Sequence, residues 1–263
     1  FSACAQQATF QPGTMDDTHI LDPSLNDPTY KVSERTHLDP TKPVIIAVHG
    51  YTASTYEWQE FLNYADGRAT HPIHDVYVSL VLLGGHGRSL STFRDTTWQT
   101  WGAPILAEYE ALVQKGFTNI NLVAASTGGT LILEHLSNNA FSIAPNSITF
   151  VDTLVVHRNK LIHLVPYIHP ILGDQENQDA TSEEAENMYV TNPKEAIQQL
   201  QSLTTRIKSK LESGITLPET TACYIYQATQ DPVVDPLSAY LIYLGLRTPS
   251  STKPQFKAFH SDL

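Results

Sequence analysis

Three residue types that together can carry out acyl transfer occur in this chain in the order Ser126, Asp231, His260. A serine hydroxyl is a poor nucleophile at neutral pH unless a base takes its proton, and an acceptor must hold that base in one tautomer. Each of the three residues closely follows a run with the composition of a β-strand. Because the carboxyl ends of parallel strands meet at one edge of a sheet, we expect these side chains to lie together.

The sequence around Ser126 predicts a tight turn between a strand and a helix. An apolar run ends at Ala125, Ser126 follows, and a helical run begins at once, with no room for a loop. In such a turn the flanking backbone comes into near contact, so Ala124 and Gly128 must be small. Ser126 would also open the helix, whose free N–H groups and positive dipole end favour a developing negative charge. A serine- and glycine-rich turn without chemistry is the alternative that this short pattern leaves open.

Alternating strand and helix patterns surround that turn. Unbroken apolar runs predict strands buried on both faces, as in a parallel sheet, and amphipathic stretches between them predict helices. This alternation indicates an α/β fold with a mostly parallel central sheet and helices on both faces. The predicted strands cover 43–48, 75–83, the run before Ser126, 147–156, 221–229 and 255–260, and the clearest helices cover 101–115, the run after Ser126 and 235–246.

The alternation breaks once, after about residue 156. A segment rich in histidine and proline is followed there by an acidic patch at Glu183, Glu184 and Glu186 and by a polar helix from about residue 194 to 212. We interpret 157–217 as an inserted cap over the strand ends. The predicted organisation is therefore a flexible tether at 1–26, a core formed by 27–156 and 218–263, and the cap between the two core segments.

Five motifs occur in one order along the chain: His49-Gly50, Gly85-His86-Gly87-Arg88-Ser89, the Ser126 turn, Asp231-Pro232-Val233-Val234 and His260. In this order they resemble the carboxylesterases and monoacylglycerol lipases of the α/β-hydrolase superfamily, over nearly the whole chain after about residue 40. The sequence departs from the family pattern at Ala124, where glycine is usual. It also has only three residues after His260, where these folds normally continue into a closing helix.

The resemblance implies a serine hydrolase that cleaves carboxylic esters through an acyl-enzyme. Ser126, His260 and Asp231 would be the catalytic triad, and the backbone N–H groups of Tyr51 and Thr127 would form the oxyanion hole. No metal or cofactor is implied. The expected substrate is a small ester with a short- to medium-chain acyl group or a monoacylglycerol-like structure, and candidates for substrate binding lie in the cap at 157–217. Thioester cleavage, aminopeptidase-type amide cleavage and a non-catalytic binding protein on this fold are the alternatives.

Other acids and histidines compete for the same roles. Asp235 precedes a proline and a helix, which favours a capping role, and Asp152 is a more remote candidate acid; the family pattern favours Asp231. His49 and His86 belong to motifs that shape loops in this family. A zinc site at His157, His163 and His169 is disfavoured because their spacing is six residues rather than the four of a helical metal pair.

Charge and the amino-terminal residues bear on partners and location. The net charge of −11 argues against binding nucleic acid, which requires a basic face. No apolar run is long enough to span a bilayer. Phe1-Ser2-Ala3-Cys4 resembles the lipobox of bacterial lipoproteins, in which the cysteine is lipidated. This resemblance predicts membrane attachment through Cys4 at the bacterial cell envelope, facing the periplasm or the surface. The sequence does not indicate an oligomeric state.

Overall fold

The structure, a computed structural model, describes residues 38–65, 75–159, 174–176, 181–248 and 255–259, with the last segment described by its backbone alone. The predicted tether, Cys4, His163, His169 and His260 lie outside these ranges. The predictions that depend on them, including lipidation of Cys4 and the base role of His260, therefore stay predictions.

A sheet of six parallel strands forms the centre of the fold. The described strands are β1 (Val44–Val48), β2 (Tyr77–Val81), β3 (Ile120–Ala125), β4 (Ser147–Val151), β5 (Gln175–Glu176), β6 (Thr191–Asn192), β7 (Ile215–Thr216), β8 (Ala222–Ala228), β9 (Leu246–Arg247) and β10 (Gln255–Phe259). The order in the central sheet is β10-β8-β4-β3-β1-β2, and every neighbouring pair is parallel, which confirms the predicted parallel sheet. Outside this sheet β5 pairs with β6 and β7 pairs with β9.

Helices connect these strands, and the first is preceded by a 3-10 turn at Thr55–Trp58. The turn is capped by Ser54, whose hydroxyl accepts the Tyr56 N–H at 3.3 Å. The helices are α1 (Gln59–Ala65), α2 (Leu90–Asp95), α3 (Trp98–Gln114), α4 (Ser126–Ser137), α5 (Ser182–Asn187), α6 (Lys194–Ser213) and α7 (Leu237–Gly245).

Apolar residues of β1 contribute to cores on both faces of the sheet. Ile46 and Val48 are fully buried in the larger core, which also contains residues of α3, α4 and α6. Ala47, which points to the other face, is buried in a smaller core against Phe61 and Leu62 of α1. This is why the β1 run is unbroken rather than alternating, and it confirms that helices cover both faces.

Helix α6 falls inside the range predicted as a cap, and its buried face belongs to the larger core. Gly245 of α7 lies so close to it that a Cβ there would be 2.7 Å from both the Cβ and the carbonyl oxygen of Leu211. These contacts are those of a helix packed into the main body of the fold. The division of the chain into core and cap is otherwise still a prediction. In the described part of the chain, no helix has the length and apolar content needed to cross a membrane.

Candidate active site

Ser126 stands at the turn between β3 and α4 in a backbone conformation that residues with side chains rarely adopt. Its φ is +46°, in the left-handed region that is costly for a residue other than glycine. The turn also brings α4 against β1: a Cβ on Gly128 would lie 2.6 Å from the His49 carbonyl oxygen and 2.8 Å from that of Val48. A side chain at 128 would therefore push α4 away from the sheet, which is the physical reason for the small residue there.

The loop after β1 passes directly beside Ser126. A Cβ on Gly50 would lie 3.2 Å from the Ser126 Cβ and 3.7 Å from its Oγ. Because Gly50 carries no side chain, the backbone of the loop can lie directly against the Ser126 side chain. The backbone of Tyr51 follows within that loop, so the two predicted oxyanion donors, Tyr51 and Thr127, come from segments that meet at the serine.

His49 fixes the direction of the Tyr51 N–H. The Leu83 N–H donates to His49 Nε2 at 3.0 Å, so the ring proton is on Nδ1, which donates to the Gly50 carbonyl oxygen at 2.9 Å. In a trans peptide the C=O and N–H point in opposite directions. The Gly50 oxygen is turned toward the imidazole, and the Tyr51 N–H of the same peptide therefore points away from it.

Burial keeps the two histidines behind this loop uncharged. Desolvation lowers the pKa of His49 to about 4, although the hydrogen bond with Gly50 opposes the shift. His86 is also fully buried, with its ring centroid 5.2 Å from that of His49. Burial first, and then the neighbouring His49, lower the pKa of His86 well below its usual value. Both therefore support the loop in neutral form, as predicted for loop-shaping residues, and neither is placed to act as a base at neutral pH.

The second donor, Thr127, lies in the first turn of α4. The first N–H groups of a helix have no partner within the helix. Among the described residues, neither the Thr127 N–H nor the Tyr51 N–H donates to a backbone carbonyl in a turn, loop or cap. Two N–H groups on the segments that meet at Ser126 can stabilise an oxyanion that develops on a substrate carbonyl attacked by the serine hydroxyl.

Two aspartates lie at the same edge of the sheet. Asp231 follows β8 by three residues, and its Oδ1 accepts the N–H groups of Val233 at 2.7 Å and Val234 at 2.8 Å. Asp152 directly follows β4 with a φ of +42°. Its Oδ1 accepts the Ala228 N–H at 2.6 Å and a Gln227 side-chain N–H at 2.8 Å. Asp152 is therefore tied to the last residue of β8, close to where the Asp231 loop begins.

The environment of Asp152 raises its pKa. Burial is the largest cause, the hydrogen bond from Ala228 opposes it, and the nearby charge of Asp231 adds to it. The two carboxyl groups are thus close enough to interact. The third candidate acid, Asp235, accepts the Leu237 N–H at 2.9 Å in the first turn of α7, in keeping with the predicted capping role.

The position of the predicted base lies just beyond the described backbone. Strand β10 ends at Phe259, which pairs with Ala228 of β8, and His260 is the next residue in sequence. Residues that follow β3, β4 and β8 therefore share the sheet edge at which β10 also ends. The structure brings the segments that carry Ser126, Tyr51 and Thr127 together. It places Asp231 and Asp152 at the same edge of the sheet as Ser126. It does not describe the His260 side chain.

Part of the predicted cap contacts the loop at 49–52, which follows β1 and carries the predicted oxyanion donor Tyr51 and is called the oxyanion loop below. The Tyr189 N–H donates to the Thr52 carbonyl oxygen at 2.9 Å, and its hydroxyl donates to the Arg88 carbonyl oxygen at 2.7 Å. The Tyr189 ring stacks on Phe93, with centroids 4.7 Å apart and planes 4° from parallel. The Tyr56 hydroxyl donates to Glu183 of α5. Sequence reasoning missed Tyr189 because a lone tyrosine in an irregular segment carries no periodic signal.

Glu57 is the other residue that sequence reasoning missed. Its Oε2 accepts the Gly50 N–H at 2.7 Å, and burial raises the pKa of this carboxyl to about 7 despite that hydrogen bond. Only its tertiary position reveals it, since a single glutamate near a helix start is unremarkable in sequence. Among the described residues, no group of three or more histidine, cysteine and acidic side chains could hold a metal ion.

Comparison with known proteins identifies the fold. No protein-family model matches the chain, and no curated protein matches its sequence. Solved structures match it over most of its length, and several of them are described as lipases or esterases. A structure reported with the metagenome-derived lipolytic enzymes LipS and LipT is 19% identical, covers 84% of each chain and has a TM-score of 0.64.

Two monoacylglycerol lipases are similar in the same way. The enzyme from Paleococcus ferrophilus is 13% identical over 83% of this chain and 86% of its own, with a TM-score of 0.61. A soluble variant of the monoglyceride lipase of Saccharomyces cerevisiae, in complex with a substrate analogue, is 8% identical over 88% of this chain and 81% of its own, with a TM-score of 0.63. The chain therefore has the α/β-hydrolase fold.

Proposed function

We propose that the protein is a serine hydrolase that cleaves carboxylic esters. One observation carries the proposal: Ser126, held at a φ of +46° at the start of α4, lies against Gly50. The serine is thus beside the loop that carries the Tyr51 N–H and in the turn that carries the Thr127 N–H, an arrangement suited to acyl transfer. The lipolytic activities of the similar structures favour an ester rather than another acyl derivative, and their monoacylglycerol lipases favour a small monoacylglycerol-like or short- to medium-chain ester.

The proposed reaction proceeds in two halves. His260 takes the proton of the Ser126 hydroxyl as its oxygen attacks the carbonyl carbon, and the Tyr51 and Thr127 N–H groups bind the resulting oxyanion. The C–O bond to the alcohol breaks as His260 returns the proton to the leaving oxygen, which leaves an acyl-enzyme. His260 then takes a proton from water as the water oxygen attacks the acyl carbon, and it passes this proton to the Ser126 oxygen as the bond to the serine breaks and the acid is released. Asp231 orients the imidazole and stabilises its protonated form.

Labelling with a fluorophosphonate probe tests the nucleophile. We expect the probe to modify Ser126, as mapped by mass spectrometry of the labelled peptide, and we expect Ser126→Ala to abolish both labelling and ester hydrolysis. Ser209→Ala, a change at an exposed serine of α6, is the matched control and should leave both unchanged. Hydrolysis by Ser126→Ala at the wild-type rate would refute the proposal.

A panel of substrates assayed with the wild-type protein distinguishes the reaction classes. A panel of p-nitrophenyl acyl esters, acyl thioesters and aminoacyl p-nitroanilides, compared by kcat/KM, should give the highest values for the esters. A preference for thioesters or aminoacyl amides would keep the triad and replace the ester assignment. A folded wild-type protein that binds an ester without turning it over would favour the non-catalytic alternative.

A further inference from the structure

The peptide groups on both sides of Gly50 are held by side chains. On one side His49 Nδ1 donates to the Gly50 carbonyl oxygen, and on the other the Gly50 N–H donates to Glu57 Oε2 at 2.7 Å. Gly50 itself has no side chain with which to pack, and these two hydrogen bonds orient its two peptide groups beside Ser126. The mechanism assigns no role to Glu57, although it is the one carboxyl group bonded directly to the oxyanion loop among the described residues.

Glu57 and the reacting hydroxyl both lie near the Cβ position of Gly50. The point at which a Gly50 Cβ would stand is 3.5 Å from Glu57 Oε2 and 3.7 Å from Ser126 Oγ. A negative charge on this carboxyl would therefore be close to the oxyanion that forms on the attacked carbonyl. In a partly buried site such a like-charge interaction is stronger than in water.

We propose that Glu57 is a positioning residue of the oxyanion loop, holding the Gly50 N–H in either protonation state and slowing ester hydrolysis when it is ionised. The inference rests on the proposed function, because it concerns the rate of the reaction at Ser126. A protonated carboxyl still accepts the Gly50 N–H through its carbonyl oxygen. Ionisation therefore keeps the loop in place and adds a charge that opposes the transition state.

The surroundings of Glu57 leave burial as the main influence on its titration. Burial raises the pKa of Glu57 to about 7, opposed by the Gly50 hydrogen bond. Other titratable groups on the adjoining segments are distributed as follows: His49 and Tyr51 follow β1, His86 follows β2, Tyr56 precedes Glu57, Glu60 lies in α1, and Glu183 and Glu186 lie in α5 beside Tyr56. His49 and His86 are neutral at pH 7, and the Tyr56 hydroxyl is bonded to Glu183.

The direction of the pH effect follows from these charges. As pH rises through about 7, Glu57 loses its proton and the transition state becomes less stable. The expected plot of kcat against pH therefore has a falling limb near neutrality that belongs to Glu57.

Two variants separate the hydrogen bond from the charge. Glu57→Gln keeps an acceptor for the Gly50 N–H and removes the charge, so the falling limb should disappear and kcat at pH 9 should exceed the wild-type value by about tenfold. Glu57→Leu removes the acceptor and leaves the loop unsupported, so kcat should fall by about tenfold or more at every pH while KM changes little. Glu60→Gln removes an exposed charge from α1 and should match the wild type.

The measurement is kcat and KM for a p-nitrophenyl ester from pH 5 to 9.5, with thermal unfolding of each variant as a check on folding. A Glu57→Gln profile that keeps the wild-type falling limb would overturn the inference, and this result does not depend on whether Glu57→Leu folds. Loss of activity in Glu57→Gln equal to that in a folded Glu57→Leu would also overturn it. Retention of activity by Ser126→Ala is the separate result that would refute the proposed function instead.

Discussion

At the scale of single residues, Asp231 and Asp152 are the two acids that could stand behind the base. Both lie at the strand ends, and both already accept hydrogen bonds through one carboxylate oxygen. Asp152 is tied to the main chain of β8, at Ala228, and to Gln227, which suits a residue that joins the ends of β4 and β8. Asp231 lies in the short loop after β8, next to the strand whose end precedes His260 in sequence. We therefore expect Asp231 to be the acid behind the base and Asp152 to support the strand ends.

Replacing each aspartate by asparagine distinguishes these roles. Asp231→Asn should lower kcat by about 10³–10⁴-fold, because an amide cannot stabilise the imidazolium and favours the wrong tautomer. Asp152→Asn is the matched control: its amide oxygen can still accept the Ala228 N–H, so kcat should fall by less than about tenfold. The measurement is kcat for one ester at pH 8. The opposite ranking would make Asp152 the acid of the triad.

Sequence predicted the geometry of Ser126 better than it predicted its neighbours. Small residues at fixed distances from the serine are a direct record of close backbone approach, and the contacts of Gly128 confirm that reason. Glu57 had no comparable signal, because the feature that singles it out is a hydrogen bond that its carboxyl accepts from the Gly50 N–H, seven residues earlier. Local spacing can report a steric need, whereas it cannot report which distant backbone group a charged side chain will meet.

At the scale of elements, helix α4 must hold Ser126 while its far end is anchored to α6. Glu134 of α4 has a side chain only 5% exposed, and Arg206 and Lys210 of α6 both pair with it at 3.0 Å. Burial alone would raise the pKa of this carboxyl, but hydrogen bonds from Asn138, Lys210 and Arg206 outweigh it and the pKa is lowered. The sequence predicted α6 as a polar helix, and composition alone cannot specify that one of its faces packs into the larger core. This is why sequence analysis assigned the helix to a cap.

Removing both cations from this anchor should weaken the fold. The double variant Arg206→Met, Lys210→Met leaves the Glu134 carboxylate buried without a counter-charge, and we expect it to cost about 2–4 kcal/mol in the free energy of unfolding at pH 7. Adding Glu134→Gln should recover part of that loss, since the buried charge is then absent. Urea unfolding measures these differences, and Lys208→Met, an exposed change on the same helix, is the control. A double variant as stable as this control would mean that apolar packing alone holds α6 in place.

At the scale of the whole molecule, buried histidines should make stability fall in mild acid. Burial lowers the pKa of His49 to about 4 and also lowers the pKa values of His86 and His135. Below about pH 6.5 the unfolded chain binds protons at these positions and the folded chain does not, so the free energy of unfolding decreases as pH falls. For His49 alone, the full shift corresponds to about 3 kcal/mol at pH 4. The pKa of Glu134 is lowered by folding from an ordinary value of 4.5, so protonation of this carboxyl removes further stability as the pH falls below 4.5.

Titration of Glu57 changes the free energy of unfolding in the opposite direction from the buried histidines, so a variant at Glu57 tests the histidine prediction within the same protein. Its raised pKa, about 7, means that folding is penalised when the group is ionised, and the penalty is relieved as pH falls from 7 toward 4.5. We therefore expect Glu57→Gln to be more stable than the wild type at pH 8 and to lose more stability than the wild type between pH 7.5 and 5. His135→Gln should lose less, because an amide can still donate to the Gly102 carbonyl oxygen, which His135 Nε2 contacts at 3.0 Å, and does not titrate. Urea unfolding of the three proteins at pH 8, 6.5 and 5 measures these slopes, and parallel slopes for all three would show that neither group is perturbed by folding.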